Sequence, residues 1–470
     1  MKKYYLIIIV FTLLVFSCDL FGSGNYGTRT FWSQNMQNDT FYQVKAELLV
    51  NGKHCNIWAE TGSGISISEM TARSIAYEYD TYIYPKMMEV FGLTETTFEY
   101  GNYVIADNTI ELADWFGDED GKLCILLLDI KDDYIKNIND AYVAGYFWGG
   151  DLWPQYYSNA ADMIYIDTYP GLLNISNVYR TLAHELQHLI NTAISFYYTY
   201  LDESRQGLMD LWIDEGLSSA AEHIVYGKSE SRLKDYNNDY SGLIEKGNNF
   251  FVWDNHDDED TNAVLDDYAT VYLFFQWLRI HSDKNIYSKI ISSYFTDYKA
   301  VTEAAKTINS EYSDWGKLLG AWLAANHNSA DGEDGYKGEY VIKKHFAPIE
   351  PKTIQLYPGE GVYSYTASNP NHVNSADIIY SYLDKSKALL TYNKNNNIKG
   401  GETSGSVTGA RPPAADVIAF NGRSALASNV PAGPYPISIN DMRRRRGLEE
   451  NRPFIDFNHA ADFFRQRGND

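Results

Sequence analysis

The stretch from Tyr179 to His223 constrains this chain more than any other. It carries His-Glu-Leu-Gln-His at 184–188 and Trp-Ile-Asp-Glu-Gly at 212–216. An α-helix turns once every 3.6 residues, so side chains four apart lie one above the other on one face. On such a helix His184 and His188 aim two imidazoles at one point, and Glu185 sits beside them, turned toward the same cleft. Leu182, Leu186 and Leu189 fall on another side and supply an apolar face, and Asn174 or Ser176 can cap the start. Leu208 to His223 is a second helix, or a turn leading into one. It brings Glu215 within the same constellation, 27 residues beyond His188.

Those residue types in that pattern point to metal-assisted hydrolysis. Two neutral imidazole nitrogens and a carboxylate oxygen hold a zinc ion and leave its fourth position open for water. Glu185 is placed to act as general base, taking a proton from that water and passing it to a leaving amine. A bare His-Glu-x-x-His is a moderate signal. An amphipathic helix around it and the downstream Trp-x-Asp-Glu-Gly strengthen it.

The residues Leu189-Ile190-Asn191 after the first motif and Leu217-Ser218 after the second complete a pattern that resembles the hyicolysin family of bacterial zinc metallopeptidases, of the gluzincin group. The resemblance runs from about Phe41 to the region of Tyr392 and is most specific over 180–222. It implies that His184, His188 and Glu215 bind Zn2+ and that Glu185 is the base. It implies further that Glu222, two helical turns beyond Glu215, orients a ligand histidine. Tyr268 resembles the residue that stabilises the tetrahedral oxyanion in related peptidases; packing in the core is the competing reading. The family usually has Asn before the ligand glutamate, and here Asp214 stands there. The implied fold is α+β and zincin-like: an N-terminal mixed α/β part, a helical catalytic subdomain and a small C-terminal β module.

Along the chain, Lys2 and Lys3 followed by the apolar run Tyr4 to Phe16 form an export signal, too short for a comfortable membrane span. Ser17-Cys18 resembles a bacterial lipoprotein site, with Phe16 bulky where a small residue is favoured; an ordinary secretory cut is the alternative. The expected location is therefore the bacterial cell envelope, lipid-anchored through Cys18, or secreted. Residues 19–40 read as a flexible tether. Phe41 to Val50, Asn51-Gly52 and Cys55 to Glu60 read as a β-hairpin. Ser66 to Tyr79 reads as a helix, and the unbroken apolar run Lys122 to Ile130 as a central strand buried on both faces. Asp118-Glu119-Asp120-Gly121 lacks the full calcium-loop pattern and reads as an acidic turn. Ala141 to Trp153 reads as a loop near the site. Met163 to Asp167 reads as a strand, and by analogy as the edge that holds extended substrate. Cys55 and Cys124 either pair or remain buried thiols.

Leu265 to Ile280, Ile286 to Phe295 and Trp315 to Ala325 read as helices, closing a peptidase domain over 41–330. Short β-like runs at Glu339–Ile342, Thr353–Tyr357, Val362–Thr366, Asp377–Leu383 and Ala388–Tyr392 suggest a β module over 331–395. Residues 401–470 hold nine arginines and no lysine, against six arginines in the preceding 400. The stretch 396–470 therefore reads as a disordered or atypical tail, including the Arg443–Arg446 run.

Composition removes several alternatives. With a net charge of -23 and no basic face before residue 440, the chain is not expected to bind nucleic acid. No glycine-rich phosphate loop, Gly-x-Ser-x-Gly or Cys/His nucleophile pattern is present. The remaining eight histidines show no ligand spacing. The expectation is an exported zinc endopeptidase acting on protein or peptide substrates. The rival is a surface lipoprotein that uses the same fold only to bind.

Overall fold

The computed structural model describes residues 27–396 with breaks, together with 415–419 and 435–437. The longest break covers 92–120, where only 99–100 and 103–104 are described. Six strands form the main sheet: β1 (Thr28–Asn35), β2 (Thr40–Asn51), β3 (Cys55–Glu60), β4 (Leu123–Leu128), β6 (Gly145–Tyr146) and β7 (Met163–Asp167). Between β4 and β6 lies the short β5 (Ala141–Val143). The spatial order is β1-β2-β3-β4-β7-β6. The pairs β3·β4 and β4·β7 are parallel, while β1·β2, β2·β3 and β6·β7 are antiparallel.

All six side chains of β4 are buried, as a continuous apolar run in the middle of a sheet requires. Each Leu or Ile removed from water in this way contributes about 1.5–3 kcal/mol. Ile125 and Leu127 face the large core shared with the helices; Cys124, Leu126 and Leu128 face a smaller core with Phe31, Val44 and Tyr165. The two cysteines follow this alternation. Cys55 belongs to the helix-side core and Cys124 to the other, so the sheet separates them, and both are buried free thiols.

The helices are α1 (Glu69–Glu78), α2 (Tyr84–Phe91), α3 (Ile175–Leu201), α4 (Leu211–Tyr226), α5 (Glu230–Asn238), α6 (Thr261–His281), α7 (Ile286–Ile291), α8 (Tyr298–Ala305) and α9 (Trp315–Asn328). Ser68 caps α1 by accepting the N–H of Thr71 at 3.0 Å. Asn174 begins α3, accepting from the N–H of Ser176 at 3.2 Å. The apolar α6 is buried around its whole girth from Leu265 to Leu278, which makes it the central post of the helical part.

Beyond the helices, β9 (Gly361–Tyr365), β10 (Ile378–Tyr382) and β11 (Ala388–Asn393) pair in the order β9-β11-β10. The preceding β8 (Thr353–Leu356) pairs with β12 (Ala415–Ala419), and β13 (Tyr435–Ile437) pairs with β5. Tyr363, Leu390 and Tyr392 join the same core as α9, and the Tyr392 hydroxyl donates to the Gly316 carbonyl at 3.2 Å.

Several expectations need correction. Residues Thr28–Asn35 are not tether but an edge strand, because β2 offers them an eight-residue antiparallel ladder. The strand Met163–Asp167 is not an edge: β6 covers its free side. The region expected to be a loop at Ala141 to Trp153 holds β5, β6 and a 3-10 turn at Gly149–Leu152. Glu339–Ile342 joins no ladder, and two short stretches of the expected tail, Ala415–Ala419 and Tyr435–Ile437, pair as strands. The acidic turn at 118–120, Cys18 and Arg443–Arg446 lie outside the described residues.

The placement of the cysteines yields a test. Mass analysis without reductant after thiol labelling should find Cys55 and Cys124 unlabelled in the native protein and both labelled after denaturation. A Cys55–Cys124 bridge would contradict the sheet geometry.

Candidate metal centre

Helices α3 and α4 lie against each other, with Leu186 and Ile190 of one and Leu217 and Ala220 of the other buried in the common core. Close approach of α4 to α6 depends on Gly216, where an added methyl would come within 2.3 Å of the Phe275 ring. This packing brings the neighbouring Glu215 under the two histidines of α3.

The geometry is built from two imidazoles of α3 and three carboxylates of α4. His184 Nε2 lies 3.2 Å and His188 Nε2 3.6 Å from Glu215 Oε2. Each Nδ1 turns away to a different carboxylate: His184 Nδ1 to Glu222 Oε1 at 2.9 Å, and His188 Nδ1 to Asp214 Oδ2 at 2.8 Å. Asn191 Nδ2 donates to the other Asp214 oxygen at 2.5 Å, and Ser218 Oγ lies 3.2 Å from His188 Nδ1. Arg232 of α5 completes the back wall. Its guanidinium is 3.9 Å from Glu222 and lies over the Tyr268 ring, 4.3 Å from the centroid. Tyr268, the eighth residue of α6, has its ring centroid 6.3 Å from that of His184.

A metal ion fits this donor set. His184, His188 and Glu215 offer ligand atoms all within 4.8 Å of one another, the one such group among the described residues. Tetrahedral zinc with ligands at ~2.0–2.1 Å separates them by ~3.4 Å. The separations of 3.2 and 3.6 Å bracket that figure. The Nδ1 contacts leave both Nε2 atoms toward the common point, as carboxylate-held metal histidines require.

The electrostatics sort the carboxylates into two kinds. Burial raises the three glutamates, but for Glu215 the charged histidines outweigh it and hold the carboxyl well below its usual range. Glu222 is also lowered against its burial, by the His184 hydrogen bond and the Arg232 charge. Glu185 goes the other way: burial dominates and raises its carboxyl. A carboxylate that is ionisable yet reluctant to ionise is suited to accept and return a proton. Burial disfavours the charged imidazole of His184, yet the hydrogen bonds to Glu215 and Glu222 carry it from 6.5 up to about 9. His188 moves in the same direction: burial opposes the charge, and Asp214 and Glu215 outweigh it.

The structure thus brings together His184, His188, Glu215, Glu222 and Tyr268, with Glu185 buried on the same helix turn. Sequence reasoning missed three residues. Asp214 was visible only as a departure from the family pattern, although its place beside Glu215 was a signal. Asn191, one turn after His188, carried the helical spacing that could have found it. Arg232 had no local signal, since only the packing of α5 on α6 brings it in.

No family model matches the chain. It is 32% identical over 342 residues, 70% of its length and 68% of the relative's, to the Neutral metalloprotease ShpI of Staphylococcus hyicus.

A pH dependence follows. In the metal-free fold, protonated imidazoles between carboxylates stabilise the protein fully below pH 6.5, and that stability is lost as pH rises through about 9. A metal needs the neutral rings, so its affinity should climb across the same window. Calorimetric zinc titration at pH 7 in buffers of different ionisation enthalpy should show release of roughly one to two protons per metal. Uptake without proton release would refute the protonated imidazole–carboxylate arrangement.

Proposed function

The chain belongs to the hyicolysin-type metallopeptidases, and from that premise we propose that it hydrolyses internal peptide bonds of protein substrates with a zinc ion held by His184, His188 and Glu215. The observation that carries this reading is the convergence of both Nε2 atoms on Glu215 with Glu185 buried alongside. The catalytic unit corresponds to a zincin-like arrangement in which α3 and α4 supply the ligands beneath the main sheet.

When bound, zinc supplies Lewis acidity and lets water give up a proton near neutral pH. Glu185 accepts that proton as the water attacks the scissile carbonyl and delivers it to the departing amine. Burial raises its carboxyl and so favours acceptance of the proton. Tyr268 has its ring centroid 6.3 Å from that of His184, and its O–H serves as the hydrogen-bond donor to the developing oxyanion. Glu222 and Asp214 hold the two imidazoles by their Nδ1 atoms. With β7 covered, β6 is the edge on which an extended peptide can add as a further strand.

We infer export from the basic and apolar N-terminal run, with Cys18 as the lipid attachment point of an envelope-anchored form. Among the described residues no helix is long and apolar enough to cross a membrane. The rival reading, a binding protein on the same fold, leaves Glu185 without a task, since a pure binder needs no base beside the metal.

Cleavage of unfolded casein, with zinc content measured in parallel, separates the two. Glu185→Gln should retain about one zinc per chain and lose cleavage by about 10²–10⁴-fold. Tyr268→Phe should lower kcat by about 10²–10³-fold with little change in KM. Zinc-loaded protein that cleaves no peptide, or a Glu185→Gln variant that cleaves at the native rate, would overturn the reading.

A further inference from the structure

We propose that Asp214 is a positioning residue whose negative charge sets how tightly this centre retains its metal, an inference that rests on the zinc reading above. A single carboxylate on α4 ties two residues of α3 that are one turn apart: Oδ2 meets His188 Nδ1 at 2.8 Å and Oδ1 accepts from Asn191 at 2.5 Å. A carboxylate only accepts, so His188 keeps a proton on Nδ1, and when the ring gives up its second proton, as a metal requires, the freed lone pair is the one at Nε2, the atom that faces Glu215. The other polar neighbour of Nδ1, the Ser218 hydroxyl at 3.2 Å, can donate or accept and fixes no tautomer.

The family's usual Asn at this position could keep the hydrogen bond but not the charge. Asp214 therefore adds one unit of negative charge against the ligand His188, in the place where the opposite ligand His184 has Glu222. An imidazole bonded to a carboxylate is a more basic metal donor than one bonded to a neutral amide. Both histidines of this centre are held that way.

Asp214→Asn isolates the charge from the architecture. Asn191 Oδ1 is buried without a partner, so rotating that amide lets it accept from the new side-chain NH₂. The link between α3 and α4 and the acceptor for His188 Nδ1 both survive.

The test is the zinc dissociation constant of the full chain by chelator competition, for the native sequence, Asp214→Asn, Asp214→Ala and Ser218→Ala, with melting of each metal-free form. Asp214→Asn should bind zinc about 10- to 100-fold more weakly, in a metal-free form that still melts cooperatively though at a lower temperature near neutral pH, where the His188 ion pair is lost. The visible absorption of its cobalt-substituted form should shift. Ser218→Ala should stay close to native affinity. If Asp214→Ala fails to fold, the Asn variant alone decides. Equal zinc affinity in native and Asp214→Asn proteins overturns this inference alone. A native protein that binds no zinc overturns it together with the metallopeptidase reading.

Discussion

Two imidazoles of one helix gripped by three carboxylates of its neighbour is the interaction on which the rest of this structure depends. Burying five ionisable groups is costly unless each charge finds an opposite one and each proton an acceptor. Here every imidazole nitrogen has a carboxylate partner. That arrangement tolerates little freedom in how α3 and α4 cross, and the surroundings supply the precision. Gly216 lets α4 approach Phe275, α6 fills the space behind with apolar side chains, and the sheet supports α3 from its other side.

The same environment gives neighbouring carboxylates opposite characters. Glu215 and Glu222 meet cationic partners that outweigh their burial, while Glu185 is dominated by burial and its carboxyl is raised. Two anions held ionised beside one carboxyl that resists ionisation is the division of labour that the proposed hydrolysis would use. It arises from which face of α3 or α4 each residue occupies rather than from residue type.

The convergence of His184, His188 and Glu215 was legible because helical period and residue chemistry are local: the two histidines are four apart, and Glu215 stands in its own short motif. The central strand Leu123–Leu128 was legible from its unbroken apolar run, and the β2–β3 hairpin from Asn51-Gly52, although Asn51 still pairs with Asn56 and the turn runs through residues 52–54. Thr28–Asn35 escaped although Thr28, Thr30, Phe31 and Trp32 are strand formers and its ladder partner β2 follows within five residues. What else escaped was set by distant partners. The edge position of Gly145–Tyr146 and the reach of Arg232 into the site depend on neighbours far away in the chain. Asp214 looked like an imperfection in a pattern until its two oxygens were seen on His188 and Asn191.

The sheet of β9, β10 and β11 lies outside the catalytic helices in sequence, yet it gives Tyr363, Leu390 and Tyr392 to their core. The change of texture near residue 330 is therefore a seam in the sequence and not in the thermodynamics. The helices that carry the candidate metal ligands and strands more than a hundred residues downstream close one apolar core. A chain shortened at the seam would leave that core open beside the candidate site, because Tyr363, Leu390 and Tyr392 would be gone from it.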